Sequence, residues 1–311
     1  MSLPTPDQPL RIGTRGSPLA VAQAEEARDR LMAAHQLPKE AFKLTIIRTS
    51  GDRVQDRSLS EIGGKGLFTK EIEDALIGGQ IDIAVHSMKD MPTVLPKGLT
   101  IPCVLPRADV RDAFVSLKHG SLDDLPKGAV FGSSSLRRRA QLLNRRPDLH
   151  MVEFRGNVQT RLSKLSAGVA DATLLAAAGL VRMGQDDLAA GAVAADVLLP
   201  AVAQGAIGIE LREDDAGTRT LLDAINDPAT ETQLAAERAF LAGLDGSCRT
   251  PIAGLAEIDG ENLHMRGEIL RPDGSERLEV ARSGPLSDAA RMGQDAAAEL
   301  RTRGGPDFLA Q

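Results

Sequence analysis

The chain has 311 residues, a formal net charge of −6, 42% apolar and 26% charged side chains, which are ordinary proportions for a globular protein. At roughly 100–200 residues per domain, two or three domains are expected, and wholesale disorder or a fibrous repeat is excluded. Two cysteines make no disulfide framework, and none of the five histidines stands at zinc-ligand spacing from a cysteine, so no metal site is expected.

The longest uncharged apolar stretch, 197–209, is broken by Pro200, Gln204, Gly205 and Gly208. It falls short of the ~18 apolar residues of a spanning helix, so no membrane partner is expected. The first residues carry no basic region ahead of an apolar run, which makes the cytoplasm the expected location. With no Trp, no Tyr and seven Phe, the chain has few platforms for stacking nucleic-acid bases. Its cations are 28 Arg and 9 Lys, a bias toward the side chain that grips carboxylates and phosphates with a planar fork. Residues 131–164 hold eight cations against two carboxylates, a net of +6, which leaves −12 for the remainder. A pocket for a small polyanion fits that distribution better than a general nucleic-acid surface.

The elements follow in chain order. The segment from Leu10 to Ala20 reads strand, turn, helix, with Ser17 as N-cap and Pro18 as first helical residue, a helix start that presents free N–H groups to anions. A strand over 42–48 precedes the turn 49–52. The Gly-rich loop Gly63-Gly64-Lys65-Gly66 leads into a helix over 68–77. A buried strand over 81–86 then ends in Ser87-Met88-Lys89-Asp90-Met91-Pro92. The same grammar returns at Val130 to Arg138, and Gly168-Val-Ala-Asp171 precedes an apolar strand as Gly79-Gln-Ile-Asp82 does. Strands alternating with helices imply two doubly wound lobes of parallel sheet, with ligands outside the carboxyl ends of the strands. The apolar segment 197–211 reads as a strand returning to the first lobe. A helix over 228–243, strands near 252–258, 263–270 and 276–282, and a helix over 287–302 make a small α+β part. The expected domains are 1–105 with 206–223, then 111–199, then 228–311.

Several motif readings fail. Gly63 to Gly66 lacks the first Gly and the Ser/Thr of a phosphate loop, Gly13 to Gly16 lacks dinucleotide spacing, and Ser133 to Ser135 has no nucleophile-elbow frame. Lys89-Asp90 reads either as a strand-end ion pair or as a carboxylate at a sheet edge placed to move a proton or stabilise a cation. His86 reads as a hydrogen-bonded core group rather than a base. Arg155 and Arg161 flank Gly156-Asn157 and read as carboxylate clamps. Cys248 sits in a turn and reads either as an incidental cysteine or, beside Arg249, as one whose thiolate is favoured. Cys103 reads as a small buried hydrophobe.

Taken together, Ile12-Gly-Thr-Arg15-Gly-Ser17-Pro-Leu-Ala20, Gly63-Gly-Lys65-Gly-Leu-Phe68, Asp82-Ile-Ala-Val-His-Ser-Met-Lys-Asp90, Arg111-Asp-Ala-Phe-Val-Ser116, Gly132-Ser-Ser-Ser-Leu-Arg-Arg138, Arg155-Gly-Asn-Val-Gln-Thr-Arg161-Leu-Ser-Lys-Leu165 and Pro200-Ala-Val-Ala-Gln-Gly205 resemble the porphobilinogen deaminase family. The likeness runs in order from about residue 10 to 255. It implies an α/β fold of two periplasmic-binding-protein-like lobes plus a small α+β C-terminal domain. It also implies a transferase that joins four porphobilinogen molecules head to tail, releases ammonia at each addition, and frees a linear hydroxymethylbilane for tetrapyrrole synthesis.

A dipyrromethane cofactor, thioether-linked at the position of Cys248, is implied as primer. Asp90 matches the catalytic residue. Lys65, Lys89, Ser133, Ser135, Arg137 and Arg138 match cofactor-binding positions, and Arg15, Ser17, Arg155, Arg161 and Arg182 match substrate-binding positions. The implied partner is the small molecule alone, with a monomeric chain and neither nucleic acid nor membrane. Gly246-Ser247 stand where the family places two glycines before the cysteine, and Ser enters positive φ less readily than Gly, which leaves the loop geometry open while the Cys, its spacing and Pro251 match. A non-catalytic binder of an anionic metabolite would give Cys248 no role, and a polyphosphate binder would need its arginines in a surface stripe.

Overall fold

A computed structural model describes residues 3–50, 69–247 and 250–309. The chain divides into two compact units. Within the described residues the first takes 3–50, 69–108 and 206–231, and the second takes 109–205 and 232–309.

The first unit is built on a five-stranded sheet. Its strands are β1 (Leu10–Arg15), β2 (Phe42–Ile47), β3 (Ile83–Ser87), β4 (Leu99–Val104) and β9 (Ile207–Arg212), in the order β2-β1-β3-β9-β4. Helix α1 (Pro18–His35) begins because Ser17, in extended conformation, accepts from the Ala20 amide and Pro18 supplies a preset φ. It ends at Gln36, whose left-handed backbone donates to Met32 O. Ala24, Ala27 and Leu31 of α1 pack on Ile12, Ile83, Val85 and Ile209. On the other face Ile72, Ala75 and Leu76 of α2 (Lys70–Ile77) pack on Ile81, Ala84 and Leu99. Strands covered on both faces carry near-continuous apolar runs, as β3 and β9 do.

The second unit repeats the arrangement. Its four-stranded sheet has β5 (Asp112–Ser116), β6 (Val130–Gly132), β7 (His150–Val152) and β8 (Ala172–Ala176) in the order β5-β8-β6-β7. Helix α3 (Leu136–Arg145) follows β6, and α4 (Val158–Ser166) precedes β8. In both sheets three parallel strands are followed by an antiparallel neighbour, β9 against β3 and β5 against β8. The sheets are therefore only partly parallel. The antiparallel strand is in each case the segment that arrives from the other unit.

The repeated Gly-x-x-Asp has a structural role. Asp82 and Asp171 each accept, through a carboxylate oxygen, from the first or second amide of the neighbouring strand, Arg11 at 2.8 Å and Val130 at 2.9 Å. Their own amides donate back to the carbonyls of those same residues. Gly79 and Gly168 sit at φ +65 and +72, where a side chain would be strained.

Short helices α5 (Ala177–Arg182) and α6 (Asp186–Ala189) complete the second lobe, and α7 (Ala216–Asp223) the first. Beyond α8 (Pro228–Gly243), three antiparallel strands, β10 (Ile252–Asp259), β11 (Asn262–Leu270) and β12 (Arg277–Pro285), lead to α9 (Ala289–Gly304). This α+β part belongs to the same compact unit as the second lobe. Gly254 N donates to Pro200 O, and Asn144 of α3 donates to Gly274 O at 2.8 Å.

Candidate functional site

In the first unit the carboxyl ends of β1 and β3 lie side by side, since the two strands are parallel neighbours. Arg15 closes β1, half-buried, and Ser17 stands two residues on. The Ser17 hydroxyl is used as the α1 cap, at 3.3 Å from Ala20 N. β3 ends at Ser87, whose hydroxyl exchanges hydrogen bonds with the Gln23 amide at 2.9 and 3.0 Å. The next three residues, Met88–Asp90, form one 3-10 turn. Met88 N donates to Ala206 O, and Met91 N donates to Met88 O. The Met88 side chain lies against Gly208, where any Cβ would collide with its sulfur. The turn is thus closed by its own hydrogen bond and fastened at Ala206 and Gly208. It leaves Asp90 exposed and Lys89 half-buried.

Beneath this turn His86 donates through Nε2 to Glu210 Oε2 at 2.9 Å, with both side chains buried. That agrees with the reading of His86 as a core group. Glu73 of α2 faces the same region; burial raises its carboxyl above the usual range, and the Glu210 charge adds to the rise.

In the second unit β6 runs into Ser133-Ser134-Ser135 and then α3. Ser133 Oγ accepts from Ser135 N at 3.2 Å, Ser134 Oγ from Phe154 N at 2.9 Å, and Ser135 Oγ from Arg138 N at 3.5 Å. Small hydroxyl residues suit this place because Ser133 and Ser135 satisfy amides of the strand-to-helix turn, and Ser134 satisfies one beyond β7. Arg137 and Arg138 are both buried on the first turn of α3, and both reach Asp112, at 2.7 and 2.6 Å. Their Nε atoms are buried with no hydrogen-bond partner among the described residues.

Asn157 caps α4 by accepting from Thr160 N at 2.9 Å. Arg161 donates through Nε to Gly156 O at 3.0 Å, and Lys164 donates to Arg155 O at 2.9 Å. Part of the Arg161 surface stays open to solvent, yet its guanidinium lies deep among protein atoms. That burial, with repulsion from Arg138 and Arg155, lowers it to about 10. Arg138 and Arg155 are therefore close enough to Arg161 to disfavour its charge. Arg182 ends α5 and donates to Gly205 O at 3.2 Å.

Lys65 and Cys248 lie outside the described residues. On either side of Cys248 and Arg249, Ser247 N donates to Thr250 Oγ1 at 2.9 Å, and Thr250 Oγ1 donates to Ser247 O at 2.7 Å. Ser247 does not take a positive φ; the left-handed residue of this turn is Asp245, at φ 53. The serine at that position therefore strains no left-handed backbone.

An arginine repelled by two others, beside buried Nε atoms with unfilled donor capacity, suits a group carrying several carboxylates. Among the described residues no cluster of His, Cys, Asp or Glu could hold a metal ion. Two features of the site have no role in the sequence reading: Asp112, and Gln204, which donates to it at 2.9 Å. Each lies within a quoted motif segment. The available signal is a single carboxylate heading an otherwise apolar strand, Asp-Ala-Phe-Val.

Comparison with known proteins gives concordant results. A family model described as porphobilinogen deaminase, dipyromethane cofactor binding domain, matches residues 10–220, and the porphobilinogen deaminase C-terminal domain matches 232–302. A porphobilinogen deaminase of Paracoccus denitrificans is 65% identical over 307 residues, covering 99% of this chain and 98% of that protein. One from Nitrobacter winogradskyi is 58% identical, covering 96% and 94%. The chloroplastic porphobilinogen deaminase of Pisum sativum is 54% identical, covering 96% and 83%.

Proposed function

The chain belongs to the porphobilinogen deaminase family, and on that premise we propose that it joins four porphobilinogen molecules head to tail, releases ammonia at each addition, and finally frees a linear hydroxymethylbilane. It is an enzyme, and in this reading a transferase. The observation that carries the reading is the gathering of Arg138 and Arg155 close to Arg161, whose charge they disfavour, with the buried Nε of Arg138 still without a partner. Porphobilinogen brings two carboxylates, and each addition to a growing chain brings two more.

Dipyrromethane, attached through Cys248, supplies the pyrrole end to which the substrate is joined. Arg138, Arg155, Arg161 and Arg182 bind carboxylates of cofactor and substrate, with Lys65, Lys89, Ser133 and Ser135 on the cofactor side. Arg15 and Ser17 bind substrate. Asp90, exposed on a fastened turn, gives a proton to the departing amine when protonated. When ionised it stabilises the cation left on the substrate methylene. The turn matters because proton transfer requires the carboxylate to be held within hydrogen-bond reach. Residues 228–311 form the domain that carries the cofactor cysteine, beside lobes of 1–105 with 206–223 and of 111–199. The enzyme acts as a cytoplasmic monomer on a small molecule, without nucleic acid. No helix among the described residues is long and apolar enough to cross a membrane.

The test is the intact mass of the denatured chain. An adduct of two pyrrole units on Cys248, growing in pyrrole-sized steps with porphobilinogen, is expected. A mass that stays unmodified throughout would overturn the reading.

A further inference from the structure

Asp112 opens β5 with a fully buried carboxylate. It accepts from Arg137 Nη2 at 2.7 Å, Arg138 Nη2 at 2.6 Å and Gln204 Nε2 at 2.9 Å. Burial alone would raise its carboxyl, yet the charges and hydrogen bonds of Arg137 and Arg138 hold it far below the ordinary range.

The two arginines are not equivalent. Arg137 also donates through Nη1 to Gln141 Oε1 at 3.0 Å and to Leu199 O at 2.9 Å. Gln141 in turn donates to Leu199 O and to Glu268 of β11. Arg137 is thus a brace that ties α3 to β5, to the 199 carbonyl and, through Gln141, to the three-stranded sheet. Arg138 makes a single side-chain hydrogen bond among the described residues, the one to Asp112, and its buried Nε has no partner. It also lies near enough to Arg161 to push that guanidinium's pKa down.

We propose that Asp112 is the positioning residue of the carboxylate-binding cluster, anchoring Arg137 as a brace and holding Arg138 by one nitrogen so that its remaining donors meet a carboxylate of the cofactor. The proposal rests on the preceding reading that dipyrromethane is held in this unit. Asp112 does two things that a neutral residue cannot. It cancels one of two adjacent buried positive charges, which lets both arginines lie side by side. It also fixes the orientation of a guanidinium whose value to a ligand depends on its fork. Gln204, a neutral donor to the same Oδ1 as Arg138, fills acceptor capacity without adding charge.

The experiment uses the whole chain in four forms: unaltered, Asp112→Asn, Asp112→Glu and Asp171→Ala. Asp112→Glu keeps the charge and moves the carboxylate by one methylene, so it reports on orientation in a chain that still balances its arginines. Asp171→Ala removes a carboxylate cap at the opposite end of the same sheet and controls for stability alone. For each form the fraction of purified chain carrying the two-pyrrole adduct is read from its intact mass. The rate of adduct growth with porphobilinogen and the Tm are then measured.

Both Asp112 variants are expected to lower the adduct fraction about tenfold or more, the factor expected on losing one charge-assisted hydrogen bond. Asp171→Ala is expected to load as the unaltered chain does, whatever its Tm. Normal loading of Asp112→Glu overturns the proposal, and so does an equal loss in Asp171→Ala at a comparable fall in Tm. An unaltered chain that never acquires the adduct overturns the preceding reading instead.

Discussion

His86 and Glu210 face each other across adjoining antiparallel strands, with Nε2 2.9 Å from Oε2, and both side chains are almost wholly out of solvent. Removing one member of such a pair leaves the other buried without its partner. Glu210→Ala is expected to lower the free energy of unfolding by about 3–5 kcal/mol. Urea denaturation checks this, and a loss below about 1 kcal/mol would show that the pair does little for the fold.

Asp90 is exposed, and its turn is fastened by other residues. Asp90→Asn is therefore expected to change stability by no more than about 0.5 kcal/mol and to retain the covalent cofactor. Turnover should fall about 10²–10⁴-fold, the range for losing a proton-transfer group. Ammonia release from porphobilinogen, measured beside the intact mass, separates the two effects. Near-normal turnover removes Asp90 from the mechanism.

Arg137 and Arg138 should fail differently. Arg138→Leu is expected to yield folded chain lacking the adduct mass, and a variant that purifies fully loaded contradicts this. Arg137→Leu breaks bonds to Asp112, Gln141 and Leu199 O. It should first cost about 3–5 kcal/mol of stability, visible as a lowered denaturation midpoint.

The Glu73 carboxyl is raised above its ordinary value, chiefly by burial. The folded chain thus binds that proton more readily than the unfolded chain, so the ionised group opposes folding at neutral pH. Glu73→Gln is expected to stabilise the protein at about pH 7, with the gain vanishing once both states are protonated below about pH 4. Asp112 has the opposite sign: its contribution persists through neutral pH and disappears only in strongly acid solution. Denaturation midpoints across that range would refute the assignment if Glu73→Gln gained nothing at neutral pH.

Cys103 is buried, and that burial pushes its thiol up to about 12. A maleimide should leave Cys103 unmodified in the native protein and modify it after unfolding. Cys248→Ser should abolish the pyrrole adduct while leaving this pattern at Cys103 unchanged. An adduct surviving in Cys248→Ser would move the attachment site elsewhere.

The features legible in the sequence are local ones. Ser17-Pro18 marks a helix start, Gly79-x-x-Asp82 and Gly168-x-x-Asp171 mark equivalent strand entries, and α8 runs over the span that its sequence predicts. The antiparallel insertion of β9 and β5 is less legible, because a strand's partners and direction depend on residues far away in the chain. The site shows the same split. Asp90 and the arginines announce themselves by type and by the motifs around them. Asp112 and Glu210 do not, since one carboxylate in an apolar strand gives no sign of which cation or imidazole will meet it.

The place of β9 also bears on how the protein is made. Among the described residues β4 pairs only with β9, and β3 takes β9 along one whole edge. A nascent chain that has emerged only as far as residue 205 holds every other strand of the first sheet, yet leaves β3 open along that edge and β4 unpaired. The second lobe, whose strands all lie between 112 and 176, can close its own sheet before the first does. The half of the molecule that carries Asp90 is thus synthesised first and completed later, and a ribosome stalled between 176 and 207 would release a chain with unpaired strand edges, a form prone to aggregation.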